Sequence, residues 1–186
     1  HVSTREAVEA IGQSKWKGAP VTCEVTPHHL WFADTDYRVN PPIRTADDVE
    51  ALIEAIRLGV VDAIATDHAP HSAEEKARPL AEAPSGMVGL ETALAVTLTA
   101  LYHTGQMSLS DILRKMTVNP ANILRVPKGR LSGGADADLV IFDAEEKWTV
   151  DPERFASKGR NTPFGGMQVQ GRVKYTIAAG EIIYQD

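Results

Sequence analysis

A single cysteine, Cys23, stands in the 186-residue chain. That excludes an internal disulfide framework and fits a reducing, cytoplasmic compartment. Positive charge is in deficit, since Lys+Arg 19 against Asp+Glu 25 gives a formal net charge of −6. The balance argues against nucleic acid and anionic membrane as partners. Long hydrophobic runs are missing too: the longest nearly uncharged stretch, 92–102, falls well short of the roughly 18–20 residues that span a bilayer. Internal repeats, low-complexity tracts and a phosphate-cradling glycine motif are all absent; Gly133-Gly134 has no helix after it. No basic-then-apolar targeting pattern follows His1. What is present is ordinary globular composition, 43% hydrophobic and 24% charged, in a chain long enough to bury a core without staples.

The pattern along the chain alternates. Ser3 and Glu6 form an S-x-x-E box ahead of Ala7, Val8 and Ile11, which predicts a helix over 3–15. A chain that opens at His1 on a helix cap is expected to be a fragment. Residues 21–26 (VTCEVT) read as a strand between Pro20 and Pro27. Thr45 caps a helix over 46–58 with Gly59 as its stop, and 60–66 (VVDAIAT) reads as a buried parallel strand. The stretch 67–86 carries Pro70, Pro79, Pro84 and Gly86, and its length suggests a lid or binding loop. A nearly all-apolar helix is predicted over 88–104, then shorter helices from Leu109 (capped by Ser108) and around 120–124. Beyond Pro127 the texture turns to short strands, at 138–142, 171–178 and 181–184, so a domain boundary is placed near 126. The expected fold is α/β, with a parallel sheet in residues 1–126 and an all-β part over 127–186.

Several residues could carry chemistry. Asp67-His68-Ala69-Pro70-His71 sits at the carboxyl end of a buried strand, where α/β sheets and barrels place their sites. Asp67 there is a hard oxygen ligand or a base, and reads about equally as a turn former. His1 stands where a barrel strand would hand over to its helix. His28 and His29 end another strand; adjacent histidines point apart on extended backbone, and a structural hydrogen bond is the favoured reading. Asn40 precedes two prolines and could hold a substrate or simply make a turn. Cys23 is read as core, and His103 as a helix-end residue.

Taken jointly and in order, certain segments form a specific signature: HVST (1–4), EVTPHHL (24–30), NPPIR (40–44), ATDHAPHSAEEK (65–76) and APSGMVGLET (83–92). NPANIL (119–124), KGRLSGGADADLVIFD (128–143) and RNTPFGG (160–166) complete it. The chain resembles the C-terminal half of the long bacterial dihydroorotases, amidohydrolases related to hydantoinases. The resemblance implies the C-terminal part of a (β/α)8 TIM-type barrel followed by a small sandwich-like β-domain.

It further implies that His1 ligates one zinc of a pair, and that Asp67 ligates the other and shuttles the proton. Asn40, His71, Ser85 and Gly86 match substrate-holding positions. The implied reaction is reversible hydrolysis of dihydroorotate to carbamoyl aspartate in pyrimidine biosynthesis. The family's remaining metal ligands lie upstream of its counterpart of His1, and a full barrel takes roughly 250 residues. The chain by itself is therefore expected to be inactive, with the missing N-terminal half as its first partner. A homo-oligomer or aspartate transcarbamoylase are further candidate partners. Two other readings stay open: a hydantoinase or allantoinase, and a non-catalytic subunit scaffolding aspartate transcarbamoylase.

Overall fold

The computed structural model describes residues 1–186. Helix α1, Arg5–Trp16, is capped by Thr4, whose side chain accepts from the Ala7 amide. The expected box on Ser3 and Glu6 does not form, because the chain enters the helix one residue later and Ser3 is buried. The free Arg5 amide donates instead to Asp48 Oδ1 at 2.9 Å. Asp48 also closes a complete capping box with Thr45 at the start of α2, Ala46–Arg57, so one carboxylate ties two helix starts together.

Between these helices lie the parallel strands β1, Glu24–Val25, and β2, Ala63–Ile64. Regular pairing is much shorter than the expected strands over 21–26 and 60–66. The backbone bonding nevertheless runs further: the Asp62 amide donates to Cys23 O and the Ala65 amide to Val25 O. The Val2 amide donates to Glu24 O, so the first residues lie along β1 on its other side. A 3-10 turn, Pro27–Leu30, follows β1.

The loop after β2 contains a short helix, α3, Ala73–Lys76, with its own capping box of Ser72 and Glu75. The helix expected over 88–104 is shorter: α4 covers Ala93–Thr97 and runs into a π-helical turn, Leu98–Tyr102. Two contacts explain this. His68 and Met87 pair as neighbouring extended residues, and the Gly89 and Leu90 amides point at His68 Nδ1, which holds 87–90 out of the helix. At the other end, Thr99 Oγ donates to Ala95 O and accepts from the Gln170 amide, which widens the turn. Helices α5, Leu109–Met116, and α6, Val118–Leu124, follow.

The C-terminal strands β3, Leu139–Thr149, β4, Gln168–Ala178, and β5, Glu181–Gln185, form one antiparallel sheet in that order. β3 runs well past the expected 138–142. Asp143 accepts from the Glu145 and Glu146 amides and makes a bulge, after which charged residues alternate on an open face. The sheet packs closely on α4: a Cβ on Gly171 would come within 2.6 Å of Leu98 Cδ1, and Gly171 has φ +105. One buried cluster joins Val39, Met87, Val88 and Val96 to Val150, Phe164 and Val169, so both parts of the chain share a core. A second cluster, built on Val25, Leu52, Ile56 and Leu101, fills the space between the parallel strands and helices. No helix is long and apolar enough to cross a membrane.

Candidate active site

Asp67 closes the β2 segment with φ +49, in the left-handed region. A non-glycine residue there costs on the order of 1–3 kcal/mol, and Asp is among the few types that tolerate it. The turn brings its carboxylate to His1: Nε2 of His1 lies 3.4 Å from Asp67 Oδ1, and Nδ1 lies 3.0 Å from Glu24 Oε1. His1 and Asp67 side chains are each 25% exposed, so the cluster is half enclosed and open on one side. Burial raises the Asp67 pKa above its ordinary value, partly offset by nearby His29.

An imidazole nitrogen beside a carboxylate oxygen is the donor chemistry zinc accepts. Glu24 on the far nitrogen matches the outer carboxylate that orients a metal-binding histidine. Catalytic zinc usually takes three protein ligands plus water. No group of three His, Cys, Asp or Glu with metal-holding geometry occurs in the chain. The residues present thus fit part of a metal site in kind and fall short in number.

Beneath this cluster the two adjacent histidines are buried. His29 Nδ1 lies 2.7 Å from Thr26 Oγ, and its Nε2 lies 2.9 Å from Pro41 O. With the Thr26 hydroxyl donating to Nδ1, Nε2 carries the proton and donates to the carbonyl. His29 therefore fixes the segment just after Asn40, whose peptide to Pro41 is cis; the Asn40 residue itself is exposed. His28 is 1% exposed, its Nε2 has no hydrogen-bond partner, and burial pushes its pKa down to about 3.

A second group forms around the loop after Asp67. His71 Nε2 lies 3.0 Å from Ser85 O, and Gly86 packs so tightly on this turn that a Cβ would meet Ala69 Cβ at 2.5 Å and His71 Nε2 at 3.1 Å. Gly86 also has φ +133, so no other residue fits without strain. Lys76 donates to the carbonyls of Arg38, Pro84 and Gly86, and its ammonium lies 4.7 Å from the Tyr37 ring centre. Burial pushes the Tyr37 hydroxyl pKa up to about 12, partly offset by nearby Asn161. His68 is occupied on one nitrogen by the Gly89 and Leu90 amides.

The structure thus brings His1 to Asp67, and His71 to Ser85 and Gly86, while Asn40 stands on a separate, histidine-braced loop. Sequence reasoning gave no role to Glu24, Lys76 or Asn161. They lie inside the signature segments, but nothing local marks residues whose partners lie from 8 to 92 positions away. A cavity of about 770 Å³ lies between the start of α4 and the sheet. Several of its charged residues are already engaged: Arg172 pairs with Asp186, and Glu91 accepts from the Ala156 and Ser157 amides.

The parallel βα units and the His1–Asp67 approach stand beside a match to a family model. The chain belongs to the amidohydrolase family, whose model matches residues 21–183. Among individual relatives, it is 50% identical to a dihydroorotase of Clostridium botulinum over 187 residues, covering 100% of this chain and 46% of that protein. A dihydroorotase of Anaplasma phagocytophilum is 45% identical over 192 residues, again covering all of this chain and 43% of the relative. In three dimensions it matches an L-hydantoinase (dihydropyrimidinase) from Arthrobacter aurescens with a TM-score of 0.94, 34% identity and coverage of 100% and 44%. The chain spans less than half the length of these relatives.

Proposed function

We propose that this chain is the C-terminal part of a zinc-dependent dihydroorotase, acting in cytoplasmic pyrimidine biosynthesis. The observation that carries the reading is the approach of His1, beside β1, to Asp67 just after β2, in a chain 45–50% identical to dihydroorotases over its whole length. In the reaction, water adds to the ring carbonyl carbon of dihydroorotate and the carbon–nitrogen bond breaks, giving carbamoyl aspartate. Zinc, when bound, supplies Lewis-acid activation of water, whose pKa falls to about 7. His1 and Asp67 would hold it, with the remaining ligands coming from the part of the enzyme that this chain does not span.

Asp67 takes the proton of the attacking water and delivers it to the departing ring nitrogen, first base and then acid. Asn40 and His71 orient the substrate. His71 donates Nε2–H to Ser85 O, which leaves Nδ1 as the acceptor available to a substrate group. Ser85 and Gly86 line the substrate from the loop.

The Arthrobacter aurescens likeness favours one second reading, opening of a five- or six-membered cyclic diamide of the hydantoin type. An enzyme in which this chain is joined to the missing N-terminal half decides between them. Carbamoyl aspartate formation from dihydroorotate with no opening of hydantoin supports the first, and the reverse preference overturns it.

A further inference from the structure

Asn161 reaches the loop after Asp67 from the C-terminal part of the chain, 90 residues away. Its Oδ1 accepts from the His71 amide at 2.8 Å, and its Nδ2 donates to Ala69 O at 3.2 Å and Gly86 O at 3.1 Å. Its own backbone carbonyl accepts from the Val88 amide at 2.8 Å. One residue thus bonds both edges of the turn in which His71 faces Ser85. The approach is built in: a Cβ on Gly159 would come within 2.7 Å of Pro70 Cβ, so only glycine there lets the segment lie this close. Gly86 O is held from a second side by Lys76 Nζ at 3.0 Å, and the Gly86 amide donates to Arg38 O.

A carboxamide is the group this arrangement needs. It must accept from one amide and donate to two carbonyls at once, which neither a carboxylate nor a hydroxyl does. The bonds run to the two segments that the proposed function assigns to substrate, 69–71 and 85–86, and the inference rests on that assignment for its meaning.

We propose that Asn161 is a positioning residue that sets the distance and orientation between His71 and the Ser85–Gly86 peptide, and so builds the substrate-binding edge from the C-terminal sheet region.

Amide hydrogen exchange, with carbonyl-carbon and imidazole-nitrogen NMR, on the full 186-residue chain tests it, comparing wild type with Asn161→Ala and Asn161→Asp. Asn161→Ala is expected to speed exchange of the His71 amide by about tenfold or more. It should also broaden or shift the His71 Nε2–H signal that reports its bond to Ser85 O. Asn161→Asp keeps the acceptor and loses the donors, so it should restore His71 protection while still shifting the Ala69 and Gly86 carbonyl signals that report the Nδ2 bonds. The Asp62 amide, bonded to Cys23 O between the parallel strands, is the control and should not change. His71 protection within about twofold of wild type in Asn161→Ala, with unshifted Ala69 and Gly86 carbonyls in both variants, would overturn the proposal. If Asn161→Ala fails to fold, Asn161→Asp alone decides it by the split between His71 protection and the Gly86 carbonyl shift. None of these readouts needs turnover, so a chain with no dihydroorotase relationship would still pass or fail them independently.

Discussion

His29 donates from Nε2 to the carbonyl oxygen of Pro41 at 2.9 Å, and so a buried ring braces the loop that carries Asn40. Replacing His29 with Ala leaves the Thr26 hydroxyl proton and the Pro41 carbonyl without their ring partner, although Thr26 Oγ still accepts from the amide of residue 29, a cost of about 1–3 kcal/mol in stability. In the complete enzyme the same change should raise KM for dihydroorotate more than it lowers kcat, because Asn40 only orients. Chemical denaturation and steady-state kinetics measure the two effects, and an unchanged KM would detach His29 from Asn40.

Zinc titration of the chain alone should give weak, substoichiometric binding and no carbamoyl aspartate. Two candidate donors, His1 and Asp67, stand where a catalytic zinc takes three. Tight one-to-one binding by calorimetry, with turnover, would contradict the ligand count.

Within the complete enzyme, Asp67→Asn should abolish turnover, since it removes a ligand and the proton shuttle together. Asn40→Ala should mainly weaken substrate binding, by about 1–3 kcal/mol. Asn tolerates the left-handed backbone of position 67 nearly as well as Asp, so the first variant keeps the turn. Near-normal kcat in Asp67→Asn would remove the role assigned to it.

Burial holds His28 neutral in the folded chain, with its pKa pushed down to about 3, whereas the unfolded chain protonates it near 6.5. Between those values the unfolded state binds more protons, so stability rises with pH and is lost as pH falls below about 6.5. Once the unfolded histidine is fully protonated the slope approaches about 1.4 kcal/mol per pH unit. His28→Leu removes both the titration and an unpaired buried nitrogen, and should flatten the profile between pH 6.5 and 5. Urea melts across that range compare the two proteins; parallel slopes would show that His28 does not carry the effect.

Helix α2 was legible to within a residue, because Thr45, Asp48 and Gly59 are local signals that no distant contact overrides. The start of α4 was not: 88–92 has helical, apolar composition, yet His68 takes its amides from 21 and 22 residues upstream. β3 escaped for a similar reason, since Glu145, Glu146 and Lys147 look like a loop until β4 pairs with them. The same division runs through the site. His1, Asp67 and His71 announce themselves as titratable residues at strand ends, as their type and place demand. Asn161, Glu24 and Lys76 act through partners that only the folded chain supplies.

The core joining Met87, Val88 and Val96 to Val150, Phe164 and Val169 means that the connecting stretch does little of the joining. Residues 122–138 are exposed throughout. A protease that nicks this stretch would sever the covalent link and leave the two pieces clasped, with the Asn161 bonds to His71, Ala69 and Gly86 still made across the cut. The two segments could by the same logic be produced as separate polypeptides and annealed.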